Sequence, residues 1–318
     1  MPTKTKLTLP IFLEFVELKT KVASIFPLIM GLLWYRYWYG QLDWLNTFLF
    51  SLAVLTFDLT TTAINNTMDY KKAKDILYKT EDNIIGRHRL DYNRMVQIIF
   101  GLLGLATALS LVLVWQTDWL LLPMGMVCFL IGIFYTFGPL PLSRLPLGEA
   151  FSGVTMGFGI FFLANYVQYP TYFVRSGWVD GFFSLQVNVR PLVELALISL
   201  PLVALIANIM LANNICDYEQ DVRNHRYTLV HYLTPDRSVK LYQMLSALPW
   251  VSFLLAVLLR LLPWWSLLIC LAIPLHLSSI KRFSANQVKR ETFIESIKSF
   301  VLWSGLYVLV LLIAGLFR

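Results

Sequence analysis

Charge is scarce in this chain. Asp, Glu, Lys and Arg make up 14% of its 318 residues, against about 25% in a soluble domain. Hydrophobic residues make up 57% and the mean hydropathy is +0.63. Too few groups are left to face water, so a water-soluble globular domain is excluded and an integral membrane protein is expected. Cysteine is equally sparse. Cys128, Cys216 and Cys270 include no CxxC pair, which excludes a disulfide framework and a thiolate metal centre. His88, His225, His231 and His276 lack the spacing of a zinc site. His276 falls inside an apolar run and reads as a contact between helices. The net charge of +7 would suit nucleic acid if the protein were soluble. In a membrane protein it marks inner loops, and no nucleic-acid partner is expected.

What the chain has in abundance is apolar runs. A membrane-crossing helix needs about 20 such residues. Nine spans are expected, at roughly 23–40, 44–64, 93–115, 118–138, 148–168, 191–212, 240–260, 263–280 and 294–316. The fold class is therefore all-α and polytopic, a single membrane domain over 1–318 built around a central cavity. Ile11, Phe12, Phe15, Val16 and Leu18 fall on one side of a helix, so residues 1–22 are expected to lie along the bilayer surface. Lys4 and Lys6 are not followed by a short apolar core and a small-residue cleavage site, so no removable leader is expected. Nine spans put the termini on opposite sides. Of 26 basic residues, only Arg36, Arg175, Arg190, Arg260 and Arg318 fall opposite the N-terminus. That bias predicts a cell-membrane protein with a cytoplasmic N-terminus and an external C-terminus. Trp34, Trp38, Trp44, Trp115, Trp119, Trp178, Trp264 and Trp265 gather near the predicted outer ends, as an interfacial belt does.

Two polar stretches stand at equivalent ends of the second and sixth runs. One is Asn65-Asn66-Thr67-Met68-Asp69, continuing to Asp75; the other is Asn213-Asn214-Ile215-Cys216-Asp217, continuing to Asp221. Asp217 and Asp221 are four apart, as are Asn65 and Asp69, so each pair shares a helix face one turn apart. Asp75, six beyond Asp69, joins that face only if the helix has unwound. Neighbouring carboxylates repel, and each is costly near hydrocarbon. A divalent cation removes both problems. Hard oxygen donors without a thiol pair suit Mg²⁺, which takes one or two carboxylates plus phosphate oxygens. The expectation is two acidic helix ends facing each other across one Mg²⁺–diphosphate site. The plainer reading is that these carboxylates only cap and solvate helix ends; the repetition of Asn-Asn then Asp speaks against it.

Basic residues follow both stretches. Arg87 and Arg226 offer the planar fork that fits phosphate oxygens, or they face lipid headgroups. Lys71, Lys72, Lys74 and Lys79 set topology, and Lys71 or Lys74 could in addition reach a phosphate. Arg144 lies in a Pro- and Gly-rich loop, Tyr135 to Glu149, on the same side, shaped by its prolines or lining a cavity mouth. Asn165 and Asn208 sit inside apolar runs, where hydrogen bonding between helices is expected.

These residues carry a resemblance. The paired motifs resemble the UbiA superfamily of membrane prenyltransferases over nearly the whole chain. Lys19-Thr20-Lys21 before the first span, the double Asn before Asp217, Arg226 and Thr228-Leu229 after Asp221, and the Gly138-Pro139-Leu140-Pro141-Leu142 loop are most similar to the 1,4-dihydroxy-2-naphthoate prenyltransferases of menaquinone synthesis. The chain departs from the family pattern at Asn66, Ala73 and His225, which leaves one carboxylate fewer in the first motif. The resemblance implies transfer of a polyprenyl group from its diphosphate to an aromatic acceptor such as 1,4-dihydroxy-2-naphthoate, with loss of the carboxylate. It implies Mg²⁺ on Asp69, Asp75, Asp217 and Asp221, with Asp69, Asp217 and Asp221 catalytic. Asn65, Asn66, Asn213, Lys71, Arg87, Arg144 and Arg226 are the implied diphosphate-binding set. Departure of diphosphate leaves an allylic cation that an aromatic-rich cavity shelters, and the tail leaves into the bilayer. Alternative acceptors are 4-hydroxybenzoate, homogentisate and haem. A membrane carrier is the competing class, but its binding groups would lie near the bilayer midplane in broken helices.

Overall fold

A computed structural model of the chain describes residues 6–73, 76–135, 137–138 and 141–317. Lys4, Lys74, Asp75, Thr136, Pro139, Leu140 and Arg318 therefore lie outside the described residues. The rest is helical apart from one hairpin. Val174–Val179 pairs antiparallel with Phe182–Val187, and Val179 stands opposite Phe182. The hairpin turns at Asp180 (φ 49°) and Gly181 (φ 80°). Two successive positive φ values make a two-residue turn whose twist matches the strands, and Asp-Gly is the pair that tolerates it.

Among the described residues six helices are long and apolar enough to cross a membrane: Trp44–Lys72, Tyr92–Gln116, Val189–Cys216, Pro235–Leu258, Trp264–Ala285 and Phe293–Leu316. The other three expected spans are helical but shorter or interrupted. Val22–Trp38 has 17 residues and Leu121–Phe134 has 14. The run at 148–168 is built from Gly148–Ser152, a wider π turn over Gly153–Gly159, and Ile160–Tyr166.

The chain divides into two compact units, residues 1–24 with 48–141, and residues 25–47 with 142–318. In the first, the expected surface segment forms the helix Leu9–Phe15 and a 3₁₀ turn, Leu18–Lys21. Its apolar side docks: Phe15 and Val16 are fully buried against Ala63, Ile64, Ile84, Ile85 and Leu90. A polar knot sits beside this core. Lys21, 2% exposed, donates from Nζ to Asp58 Oδ1 at 3.0 Å and to Thr62, and Ser24 Oγ donates to Asp58 Oδ2 at 2.5 Å.

In the second unit Val189–Cys216 is the core helix. It is apolar on every side and buried over most of its length, as such a helix must be. Pro235–Leu258, Phe293–Leu316 and the π turn pack against it. The π turn comes in close because it offers glycine: a Cβ on Gly153 would stand 2.5 Å from Val203 O, and one on Gly157 2.6 Å from Val203 N. Small residues four apart let two backbones touch where no hydrophobic force drives them together.

The intramembrane amides bond between helices as expected. Asn165 Nδ2 donates to Gly31 O at 3.1 Å, and Asn208 Nδ2 to Ser246 Oγ at 2.7 Å. His276 accepts from Trp250 Nε1 at 3.1 Å, also between helices. The tryptophan belt needs one correction. Trp44, Trp115, Trp119, Trp178 and Trp264 are exposed, but Trp34 is fully buried and stacks on Trp38. It faces its neighbours rather than the membrane surface, a choice that its position near a helix end does not reveal.

Candidate functional site

The second acidic motif closes the core helix. Val189–Cys216 ends at Asp217, and Tyr218–Arg223 continues beyond it. The junction keeps helical bonding: Asp217 N donates to Asn213 O at 3.0 Å and Asp221 N to Asp217 O at 2.8 Å. Asn213, Asp217 and Asp221 therefore follow one another at one-turn intervals along one face, as their spacing predicts. Asn213 Nδ2 donates to Asp217 Oδ2 at 3.3 Å. Asn214, the other half of the double Asn, is 1% exposed and faces elsewhere; its Nδ2 donates to the buried Glu149 Oε1 at 2.8 Å.

Each carboxylate of this motif holds one basic side chain. Lys289 Nζ contacts Asp217 Oδ2 at 2.5 Å and also Asn213 Oδ1. Arg226 Nη1 lies 3.5 Å from Asp221 Oδ1, while its Nε and Nη2 both donate to Ser143 O, at 3.1 and 3.0 Å. Arg226 thus clamps the loop that carries Arg144 onto the motif. Asp221 is buried, and its Oδ2 has no hydrogen-bond partner among the described residues. Burial pushes its carboxyl up to about 6, against the opposing pull of Arg226 and more weakly of Lys289 and Arg144; the Asp217 charge pushes the same way as burial. Asp221 Oδ2 is thus a buried carboxylate oxygen with no donor among the described residues, and loss of solvent outweighs the pull of the neighbouring cations.

The first motif lies within Trp44–Lys72, which ends just past it. Asn65 and Asp69 share a face of that helix and are part-buried, and Lys71 is exposed. Asn66 is committed to structure: its Nδ2 donates to Phe15 O at 2.9 Å and to Glu17 Oε1 at 3.1 Å, and its carbonyl accepts from Asn83 Nδ2 at 3.0 Å. Arg87 pairs with Glu14, as does His88. Lys79 stands over the Tyr70 ring. Asp75 falls outside the described residues. Asp58, one and two turns before Thr62 and Asn65 on the same helix, is not singled out by the motif. The local signal for it is a carboxylate within an apolar run, where charge is functional by default.

No three His, Cys, Asp or Glu side chains form a closed metal cage among the described residues. Magnesium does not need one, because it keeps waters and completes its shell with phosphate oxygens. The carboxylates of Asp217 and Asp221, the latter with its orphaned Oδ2, and the amide oxygen of Asn213 fit that donor set.

A mostly helical chain with six candidate membrane spans among the described residues and an acidic, magnesium-compatible helix end has the make-up of a multi-pass membrane protein. The chain belongs to the UbiA prenyltransferase family, whose model matches residues 24–305; it is a membrane prenyltransferase and not a carrier. It is 26% identical over 270 residues, 85% of this chain and 80% of its relative, to the 1,4-dihydroxy-2-naphthoate octaprenyltransferase of Bacillus subtilis (strain 168). Among solved structures it is similar to a digeranylgeranylglyceryl phosphate synthase, with a TM-score of 0.65 at 16% identity over 98% of this chain and 99% of the other. It is similar also to a UbiA homologue from Archaeoglobus fulgidus bound to GPP and Mg²⁺, with a TM-score of 0.63 at 14% identity over 96% and 99%. These structural likenesses establish the fold.

Proposed function

We propose that the protein transfers a polyprenyl group from its diphosphate to 1,4-dihydroxy-2-naphthoate at the cytoplasmic face of the cell membrane. The observation that carries this reading is the second motif: two carboxylates one helical turn apart, one with an orphaned oxygen, flanked by Asn213, Arg226 and Arg144. Asp217 and Asp221 are the proposed Mg²⁺ ligands there, and Asp69 and Asp75 are proposed as further ligands. Mg²⁺ supplies charge stabilisation to the departing diphosphate. Asn213 and Asn65 orient ligands, Asn66 holds the first motif in place, and Arg226, Arg144, Arg87 and Lys71 carry positive charge toward the phosphates.

In the proposed reaction the allylic C–O bond breaks and its electron pair leaves with diphosphate. The electron-rich ring carbon bearing the carboxylate attacks the allylic cation. The carboxylate leaves as carbon dioxide and returns its bonding pair to the ring, which yields the hydroquinone of demethylmenaquinone. The acceptor assignment is supported by the naphthoate octaprenyltransferase of Bacillus subtilis, a relative over most of both chains, and Mg²⁺ by the GPP- and Mg²⁺-bound homologue. The family match draws residues from both compact units, which supports a single transferase domain. The distribution of basic residues supports the cytoplasmic placement of the N-terminus and both motifs and an external C-terminus.

The test is prenyl transfer by purified protein in lipid, with Mg²⁺ or EDTA, offering dihydroxynaphthoate or 4-hydroxybenzoate. Mg²⁺-dependent product with the naphthoate, lost in Asp217→Ala, is the expected result. Product with the benzoate alone overturns the acceptor and leaves prenyl transfer standing.

A further inference from the structure

Lys289 lies 72 positions from Asp217 in sequence, outside both motifs, in the segment between Trp264–Ala285 and Phe293–Leu316. That segment is fastened. Gln287 Nε2 donates to Phe283 O and Ser284 O, both at 2.8 Å. Val288 N donates to Thr292 Oγ1 at 2.9 Å, and Thr292 N returns a bond to Val288 O at 2.9 Å. The backbone of Lys289 is thereby held beside the motif, and its ammonium reaches Asp217 Oδ2 and Asn213 Oδ1 and lies 5.0 Å from the Phe293 ring centroid. Its side chain is 41% exposed, and an ion pair so open to water adds little to stability. Its polar contacts are two residues of the metal site proposed above, which points to a role in that site.

We propose that Lys289 is a diphosphate-binding residue of this site. Its ammonium neutralises Asp217 while the motif is empty and turns to a diphosphate oxygen when the metal and substrate arrive. The inference rests on the function proposed above. The reason is electrostatic. A metal on Asp217 and an ammonium 2.5 Å from the same oxygen repel each other, so the metal displaces Lys289. The nearest new anion is the diphosphate, and the four-carbon stem lets a lysine swing to it. Arg226 keeps a fixed position instead, with Nε and Nη2 on Ser143 O, and contributes its charge from there.

The experiment compares wild type, Lys289→Met, Lys289→Arg and the neighbouring control Arg290→Met, each shown to be folded by thermal unfolding. Binding of Mn²⁺ alone is read by electron paramagnetic resonance, binding of inorganic pyrophosphate with Mg²⁺ by calorimetry, and turnover by KM and kcat for the prenyl diphosphate. Lys289→Met is expected to bind Mn²⁺ more tightly, since a competing cation is gone. It should bind pyrophosphate about tenfold more weakly or worse, and raise KM by a similar factor. Lys289→Arg should keep most of the pyrophosphate affinity and Arg290→Met all of it. Unchanged Mn²⁺ and pyrophosphate affinities in folded Lys289→Met, with wild type active, overturn the role of Lys289 and reduce it to a surface ion pair. Wild type that binds neither probe and transfers no prenyl group overturns the proposed function itself, and this inference with it.

Discussion

Lys21 and Asp58 form an ion pair, 3.0 Å between Nζ and Oδ1, with the lysine almost wholly withdrawn from solvent. Thr62 and Ser24 take up the remaining hydrogen bonds of the pair. Removing one partner strands the other charge in a poor solvent for it, a change that costs about 3–5 kcal/mol. Asp58→Ala is therefore expected to lower the thermal unfolding midpoint in detergent markedly. The double variant Lys21→Met with Asp58→Leu should recover much of the loss. A double variant no more stable than Asp58→Ala alone would mean that the pair is not what holds this corner.

The adjacent asparagines of the second motif should part company. Asn214 donates to buried Glu149, so Asn214→Ala leaves that carboxylate without its partner and costs about 2 kcal/mol in stability. Asn213 contacts Asp217 and Lys289 at a part-exposed position. Asn213→Ala should change the unfolding midpoint little and lower kcat/KM by about tenfold or more. Melting curves and steady-state kinetics on the two single variants check both halves.

Gly157 separates the π turn from the core helix by less than a methyl group, with Val203 N 2.6 Å from where a Cβ would sit. The obstruction is backbone, which cannot swing aside. Gly157→Ala should cost about 1–3 kcal/mol, as overpacking does, and Gly157→Leu should abolish monodisperse protein on size-exclusion chromatography. Gly104, where a Cβ would meet nothing within 4 Å, is the control position and should accept alanine.

Arg226 grips one carbonyl with two N–H groups while facing Asp221. Lysine keeps the charge and loses the fork. Arg226→Lys should leave the fold intact, loosen the segment around Ser143 to limited proteolysis, and reduce kcat/KM by about tenfold. Wild-type proteolysis and wild-type kinetics in Arg226→Lys would show that charge alone is needed.

The chain by itself determined the membrane class, the positions of the helices and the shared face of Asp217 and Asp221. These follow from local quantities: the length of an apolar run and a period of 3.6 residues, both of which survive whatever the rest of the chain does. The tertiary structure decided which of two adjacent asparagines faces the site and which is spent on Glu149. It assigned Arg226 to Ser143 O and Asn66 to the N-terminal segment, buried Trp34, and brought Lys289 and Lys21 to carboxylates far away in sequence. Those outcomes depend on which helices pack together. Partner choice comes from shape and from the need to satisfy every buried polar group, and neither leaves a periodic mark in the sequence.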